Sequence, residues 1–270
     1  MEQIAATPGV PAYDRWVFQE KQQKVCLCIP VLNEGERILR ELQRAQKAGI
    51  HQLVDILICD GASTDGSMDP QRLKELGVNT LLIKRGPGKQ GAQLRTGFAF
   101  AKERGYTGIL TIDGNDKDSI ESVPLFLQRL EEGYDFIQGS RFVEGGQAIN
   151  TPMVRLLALR LIHAPVISLA AHQTFTDTTS AFRGHSAAYL FSPKTAIFRD
   201  CFSGYELLAY LSIRWSQLGM KACEVPVTRA YPKGEKTPTK IHPIKGNWNL
   251  LKVLFQAARG DYNPTGEEMQ

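Results

Sequence analysis

The chain has no two cysteines in C-x-x-C spacing; its five are Cys26, Cys28, Cys59, Cys201 and Cys223. That excludes a zinc ribbon and a thioredoxin-like redox pair. The thiols read as free cysteines in a reducing compartment, and on a strand Cys26 and Cys28 would share one face. Residues 1–24 contain no apolar stretch long enough for a signal-peptide core and carry Glu2, Asp14 and Glu20, so a cytoplasmic location is expected. A membrane span is not expected either. The best stretch, 156–171, is interrupted by Arg160, His163 and Pro165 and falls short of the roughly 20 apolar residues a span needs. Charge of one sign is also missing. The 32 basic and 28 acidic side chains leave +4, too little to point to nucleic acid. Internal repeats and low-complexity tracts are absent.

What is present is a chain of 270 residues, 43% hydrophobic and 22% charged, enough for one large α/β domain. Its first half alternates two kinds of segment. Apolar runs at 24–31, 53–59, 80–84, 108–112 and 135–138 predict strands, and the stretches at 34–48, 73–76, 90–104 and 122–132 predict helices. Such alternation implies parallel pairing in a doubly wound sheet, and near-continuous apolar strands imply helices on both faces. After about residue 143 the pattern changes. A helical region broken at Pro165 is expected, then a Thr-rich turn over 174–180, a helix over 204–218, a strand at 222–227, a basic loop over 229–245 and a last helix over 246–259. The expected organisation is an extension (1–23), one domain (24–245) and an amphipathic helix with a tail (246–270).

Ligands of open parallel sheets bind at the carboxyl ends of the strands. Three acidic clusters fall at such ends: Asn33-Glu34 after the first strand, Asp60 to Asp65 after the second, and Asp113-Gly114-Asn115-Asp116-Lys117-Asp118 after the fourth. One acid alone there is as well explained as a helix cap; three clusters on one edge are not. Hard oxygen ligands two residues apart suit Mg²⁺ or Mn²⁺ on a diphosphate. Cations accompany them. Lys84 to Gly91 is a glycine-rich basic loop before a helix, able to offer N–H groups to an anion, although it is no P-loop. Arg229, Lys233, Lys236 and Lys240 form a second basic stretch.

On these motifs the chain resembles the family 2 inverting glycosyltransferases of GT-A fold, most closely the dolichyl-phosphate mannose synthase-like branch. Pro30 to Glu34 is similar to that family's P-x-x-N-E opening, and Asp60 to Ser67 to its D-G-G-S-T-D-G-T turn. Gly139-Ser140-Arg141-Phe142 matches G-[ST]-R-[FY], and Asp177 to Arg183 resembles D-x-T-S-G-F-R. Glu224-Val225-Pro226-Val227, Arg229 and Gly234-Glu235-Lys236 resemble E-V-P-V followed by R…G-E-S-K. The resemblance implies a metal-dependent transferase that takes a nucleotide-sugar donor (UDP-, GDP- or dTDP-linked) and a polyprenyl-phosphate or glycan acceptor, in cell-surface polysaccharide or glycolipid synthesis. Pro30, Asn33, Glu34 and Asp60 would line the nucleoside pocket. Lys89, Asp113, Arg229 and Lys236 would complete donor binding. Arg141, with Arg155 or Arg160, would meet an acceptor phosphate, and Asp177 would lie near the reaction centre. A sugar hydroxyl acceptor would need a base, with Asp177 and Glu206 as candidates. Asp113 stands at the first D of the family's D-x-D, but Asn115 replaces the second. Asn115 can still give a carbonyl oxygen, with Asp116 and Asp118 as the other candidate ligands. The basic amphipathic stretches 155–171 and 245–259 suit peripheral membrane contact as well as core packing. Two rival readings remain: a non-catalytic nucleotide-sugar binding protein derived from a transferase, and a sugar nucleotidyltransferase. The latter would carry a glycine-rich basic signature where Asn33-Glu34 stands.

Overall fold

The computed structural model describes residues 1–232 and 245–269. The strands are β1 (Glu2–Ile4), β2 (Tyr13–Val17), β3 (Val25–Val31), β4 (Asp55–Asp60), β5 (Val78–Lys84), β6 (Gly108–Thr111), β7 (Phe136–Ser140), β8 (Gln147–Ile149), β9 (Arg183–Ser186), β10 (Ala222–Pro226) and β11 (Thr228–Ala230). The helices are α1 (Glu36–Lys47), α2 (Pro70–Glu75), α3 (Gln90–Glu103), α4 (Val123–Glu131), α5 (Met153–Ala158), α6 (Ala164–Ala170), α7 (Ala187–Leu190), α8 (Glu206–Gln217) and α9 (Lys245–Arg259).

Nine strands form one sheet in the order β1-β2-β5-β4-β3-β6-β9-β7-β10. The run β5-β4-β3-β6 is parallel throughout, so the ends of β3, β4 and β6 share one rim. Alternation along β3 divides the core. Leu27, Ile29 and Val31 pack on one face with α1 residues Ile38, Leu39 and Leu42. Cys26 and Cys28 face the other way with Leu94 and Phe98 of α3 and Leu207 and Leu211 of α8. Gly97 allows α3 to approach this face, because a Cβ there would collide with Cys59 Sγ.

Three features depart from the sequence reading. Residues 1–23 supply β1 and β2, which extend the sheet: β2 pairs antiparallel with β5 and β1 antiparallel with β2. The short polar strand β9 (Arg-Gly-His-Ser) inserts antiparallel between β6 and β7, so those two are not neighbours. The helical region around Pro165 is not broken: α5 and α6 are joined by a π turn over Leu159–His163. Proline removes a backbone donor and crowds the carbonyl four residues back, and a wider turn accommodates both. The joined helix Met153–Ala170 is long and apolar enough to cross a membrane by length and composition, contrary to the expectation from sequence. One side of it packs on the protein: Ile167 joins Ala209 and Ile213 of α8 and Val253, Leu254 and Ala257 of α9.

Candidate active site

The turn after β4 is built by its own acid. Asp60 Oδ2 accepts from the Ala62 and Ser63 N–H groups, each at 2.9 Å, and Oδ1 accepts from Ser63 Oγ at 2.5 Å. Burial pushes the Asp60 carboxyl above its ordinary value, against these hydrogen bonds. The turn is tied to the end of β3: Asn33 N–H donates to Ser63 Oγ at 2.8 Å, Thr64 N–H to Asn33 Oδ1 at 2.8 Å, and Gly35 N–H to Asp65 Oδ2 at 2.8 Å. Pro30 lies in β3, opposite Cys59, and Glu34 pairs with Arg37 of α1 at 2.9 Å.

Helix α3 links this turn to the one after β6. Gln93 Nε2 donates to the carbonyls of Val31 and Cys59, while Gln90, one turn earlier, donates to Asp113 Oδ1 at 3.0 Å. Lys89 is exposed at the start of that helix. Gly114 follows Asp113 because a Cβ there would meet Val31 and Ile29 of β3 at 2.9 and 3.0 Å.

Arg229 reaches the same place from the second half of the chain. The segment around β11 is stitched to the loop after β6: Ser119 N–H donates to Thr228 O at 2.9 Å and Ala230 N–H to Lys117 O at 2.8 Å. The Arg229 guanidinium therefore pairs with the buried Asp118 and, at 3.3 Å, with Asp113 Oδ2. Burial works against its charge, yet Asp118 and Asp113 hold it well above its ordinary value. Asp60, Asp113 and Arg229 thus lie along one rim. A cleft of ≈ 490 Å³ adjoins this rim, lined by Glu34, Arg37, Asn115, Asp116, Lys117 and Tyr231; Asp60, Asp113 and Arg229 are not in its lining.

Asn115 Oδ1 is buried with no hydrogen-bond partner, two residues from Asp113, whose side chain is 22% exposed. An orphaned carbonyl oxygen beside an accessible carboxylate fits a hard divalent ion that takes its remaining ligands from a diphosphate. Among the described residues no three His, Cys, Asp or Glu side chains cluster as a complete metal site. Asp116 is turned to Arg40 and Arg44 and the buried Asp118 to Arg229, so Asp113 and Asn115 are the residues here that could hold such an ion.

On the other side of Arg229 lies a buried ion pair. Arg141 Nε donates to Asp177 Oδ2 at 2.6 Å and Nη2 to Oδ1 at 2.9 Å, with side chains 3% and 0% exposed. Burial opposes the Asp177 charge, but Arg141 outweighs it and holds the carboxyl below the usual range. Glu224, assigned no role from sequence, accepts from the Thr176 and Asp177 N–H groups at 2.9 and 3.0 Å and so fixes this segment. Arg155 sits 5.7 Å from the Tyr231 ring centre and Arg160 4.3 Å from that of Phe142. Glu206, the first residue of α8, accepts from Gly204 N–H, beside the loop that carries Lys89, whose N–H donates to Ser203 O at 2.7 Å. Lys236 lies outside the described residues. Gln90 and Glu224 are residues to which sequence reasoning gave no role, and Asp118, read there as a candidate metal ligand, is instead the partner of Arg229. Position gave a signal only for Gln90, which opens a helix after a glycine-rich loop.

The profile of glycosyl transferase family 2 matches residues 26–198. An undecaprenyl-phosphate mannosyltransferase of Micrococcus luteus is 30% identical over 211 residues, 76% of this chain and 83% of its own length. A polyprenol monophosphomannose synthase of Mycolicibacterium smegmatis is 25% identical over 248 residues, covering 87% and 86%. In fold, the chain superposes with a TM-score of 0.62 on glucosyl-3-phosphoglycerate synthase from Mycobacterium tuberculosis in complex with Mn²⁺, UDP-glucose and phosphoglyceric acid. That match has 15% identity and covers 90% of this chain and 81% of the other.

Proposed function

This chain belongs to glycosyl transferase family 2, and from that premise we propose that it transfers a hexosyl group from a nucleotide sugar to the phosphate of a polyprenyl phosphate. It is a glycosyltransferase; the acceptor, the donor site and the location are our reading. The observation that carries the acceptor is what has become of the candidate bases. Asp177 is locked on Arg141 by both oxygens, and Glu206 is engaged by Gly204 N–H just ahead of its helix. A sugar hydroxyl would have to lose its proton to such a group. A phosphate oxygen is already anionic and attacks without one, and in this reading Arg155 and Arg160 would receive it.

In this reading Asn33, Glu34 and the turn at Asp60 border the nucleoside, with Pro30 beneath them, and Lys89, Arg229 and Lys236 hold the diphosphate. The acceptor oxygen attacks the anomeric carbon from the side opposite the leaving diphosphate, inverting it. Arg229, held charged by Asp118, faces the charge that gathers on the departing nucleotide. Asp113 and Asn115 would hold Mg²⁺ or Mn²⁺, which when bound supplies further neutralisation of that charge. Arg141 acts through the wall of the acceptor side, positioned by Asp177. The catalytic domain, expected over 24–245, takes in β1 and β2 as well, and residues 246–270 support the acceptor side.

A polyprenyl acceptor requires the protein to meet a membrane, at its cytoplasmic face. The joined helix is suited to that. Val154, Leu157, Leu161 and Leu169 are 78%, 49%, 70% and 79% exposed, at a spacing that forms one stripe about four turns long, and Trp248 on α9 is 72% exposed. Between Glu144 and Asp177 the sequence has no acid, which suits an anionic lipid surface.

The test is product formation. The protein is incubated with Mn²⁺, undecaprenyl phosphate in micelles and, in turn, UDP-, GDP- and dTDP-hexoses, and the lipid is analysed by mass spectrometry. A hexosyl phosphoryl lipid with one donor is expected, and E206Q should form it at an undiminished rate. Transfer only to glycan hydroxyls, lost in E206Q, would replace this acceptor with the glycan. Donor binding without turnover on any acceptor would favour the non-catalytic binding protein.

A further inference from the structure

His163 closes the π turn between α5 and α6, and its side chain leaves the helix on the side opposite the exposed stripe. Its Nδ1 lies 2.7 Å from Thr178 Oγ1. Thr178 is buried and follows directly on Asp177, the partner of Arg141. The Thr178 carbonyl in turn accepts from Arg183 Nη2 at 3.1 Å, so the threonine is held from both sides. Burial, and then the nearby Arg183, lower the His163 pKa to about 4, and the imidazole is neutral near neutral pH.

The π turn makes this contact. An α-helix advances about 100° per residue, and the one extra residue of a π turn is worth that much rotation. With an ordinary α-turn after Ala158, either His163 would swing away from Thr178, or Ile167 would leave its place among Ala209, Ile213 and Leu254. The wide turn keeps both while the stripe Val154, Leu157, Leu161 continues into Leu169 on the outer side. Pro165 accounts for a wide turn at this place, and the hydrogen bond that His163 makes from it ends beside the Arg141–Asp177 pair.

We infer that His163 is a positioning residue: through Thr178 it ties the exposed helix Met153–Ala170 to the Arg141–Asp177 pair, so that the helix carrying Arg155 and Arg160 and the buried arginine keep one register for a lipid-linked phosphate. The inference rests on the acceptor proposed above. It concerns acceptor seating and leaves the donor side alone, because among the described residues no hydrogen bond or ion pair joins Asp113, Arg229 or Gln90 to His163 or Thr178.

The test separates acceptor from donor. His163→Ala should raise the undecaprenyl phosphate concentration at half-saturation about three- to tenfold, the worth of one net hydrogen bond. Acceptor-free hydrolysis of the hexose donor, and the donor-induced rise in melting temperature, should stay at the wild-type level. Thr178→Val should copy this effect, and His163→Asn, whose side-chain amide can stand near the Nδ1 position, should recover most of it. Unchanged acceptor dependence in His163→Ala, or equal losses on the donor side, would overturn the inference. If the wild-type protein glycosylates no polyprenyl phosphate, the acceptor reading has failed, and the link is then judged by hydrogen exchange. The amides of 159–163 and of 177–179 should exchange faster together in His163→Ala; faster exchange confined to the helix would overturn the link on its own.

Discussion

At the scale of residues, the site is held by charges that have left water in pairs. Asp118 and Asp177 are both 0% exposed, and each has one arginine. Such a pair adds little stability over an apolar replacement, but removing one partner strands the other and costs about 3–5 kcal/mol. Arg229→Ala should therefore unfold at markedly lower urea, and Arg229→Gln combined with Asp118→Asn should recover much of that loss, because no unpaired charge remains. Equal midpoints for the single and double variants would contradict this account. For Asp177 the pH dependence has a definite sign. Its folded pKa is lowered, so its contribution is present above the ordinary carboxylate value and is lost as pH falls through the lowered one. The destabilisation caused by Asp177→Asn should persist from about pH 7 to about pH 5 and shrink only in stronger acid, as read from urea melts at each pH.

At the scale of elements, what was legible in the sequence is what local pattern controls. Strands β3, β4, β5, β6 and β7 announce themselves as apolar runs, and they put Asp60 and Asp113 on one rim before any contact is known. β9 was not legible, since Arg-Gly-His-Ser has no strand pattern; its pairing comes from the neighbours β6 and β7. Nor was the Arg229 contact, which depends on backbone bonds between 228–230 and 117–119, about 110 residues apart in sequence. Around Pro165 a breaker was read as a break, whereas packing on α8 and α9 preserved the helix by widening one turn. That helix carries its own prediction. Leu157→Glu with Leu161→Glu should abolish flotation with vesicles of anionic phospholipid, while the melting temperature stays close to wild type, because exposed substitutions usually change stability by no more than about 0.5 kcal/mol. Flotation equal to the wild type would remove the stripe as the membrane contact.

At the scale of the whole molecule, the rim joins two halves of the chain that are held to it differently. Asp60 and Asp113 end strands in the middle of a nine-stranded sheet, whereas Arg229 arrives on a two-stranded sheet, β11-β8, outside it. A ligand that grips both, a diphosphate with its metal, stabilises the folded state by mass action, about 2.7 kcal/mol at a hundredfold excess over Kd. For a domain of this size each kcal/mol is worth roughly 2–4 °C in melting temperature. The correct nucleotide sugar with Mn²⁺ should therefore raise the midpoint by about 5–10 °C at that excess. Asp113→Asn should keep the ligand-free midpoint nearly unchanged, because the carboxylate is partly exposed and its contact with Arg229, at 3.3 Å, is long. In that variant the increment due to Mn²⁺ should vanish, while a smaller rise due to the nucleotide itself remains, because the nucleoside side at Asn33 and Glu34 is intact. A Mn²⁺ increment as large in Asp113→Asn as in the wild type would place the ion elsewhere and separate the acidic rim from the chemistry assigned to it.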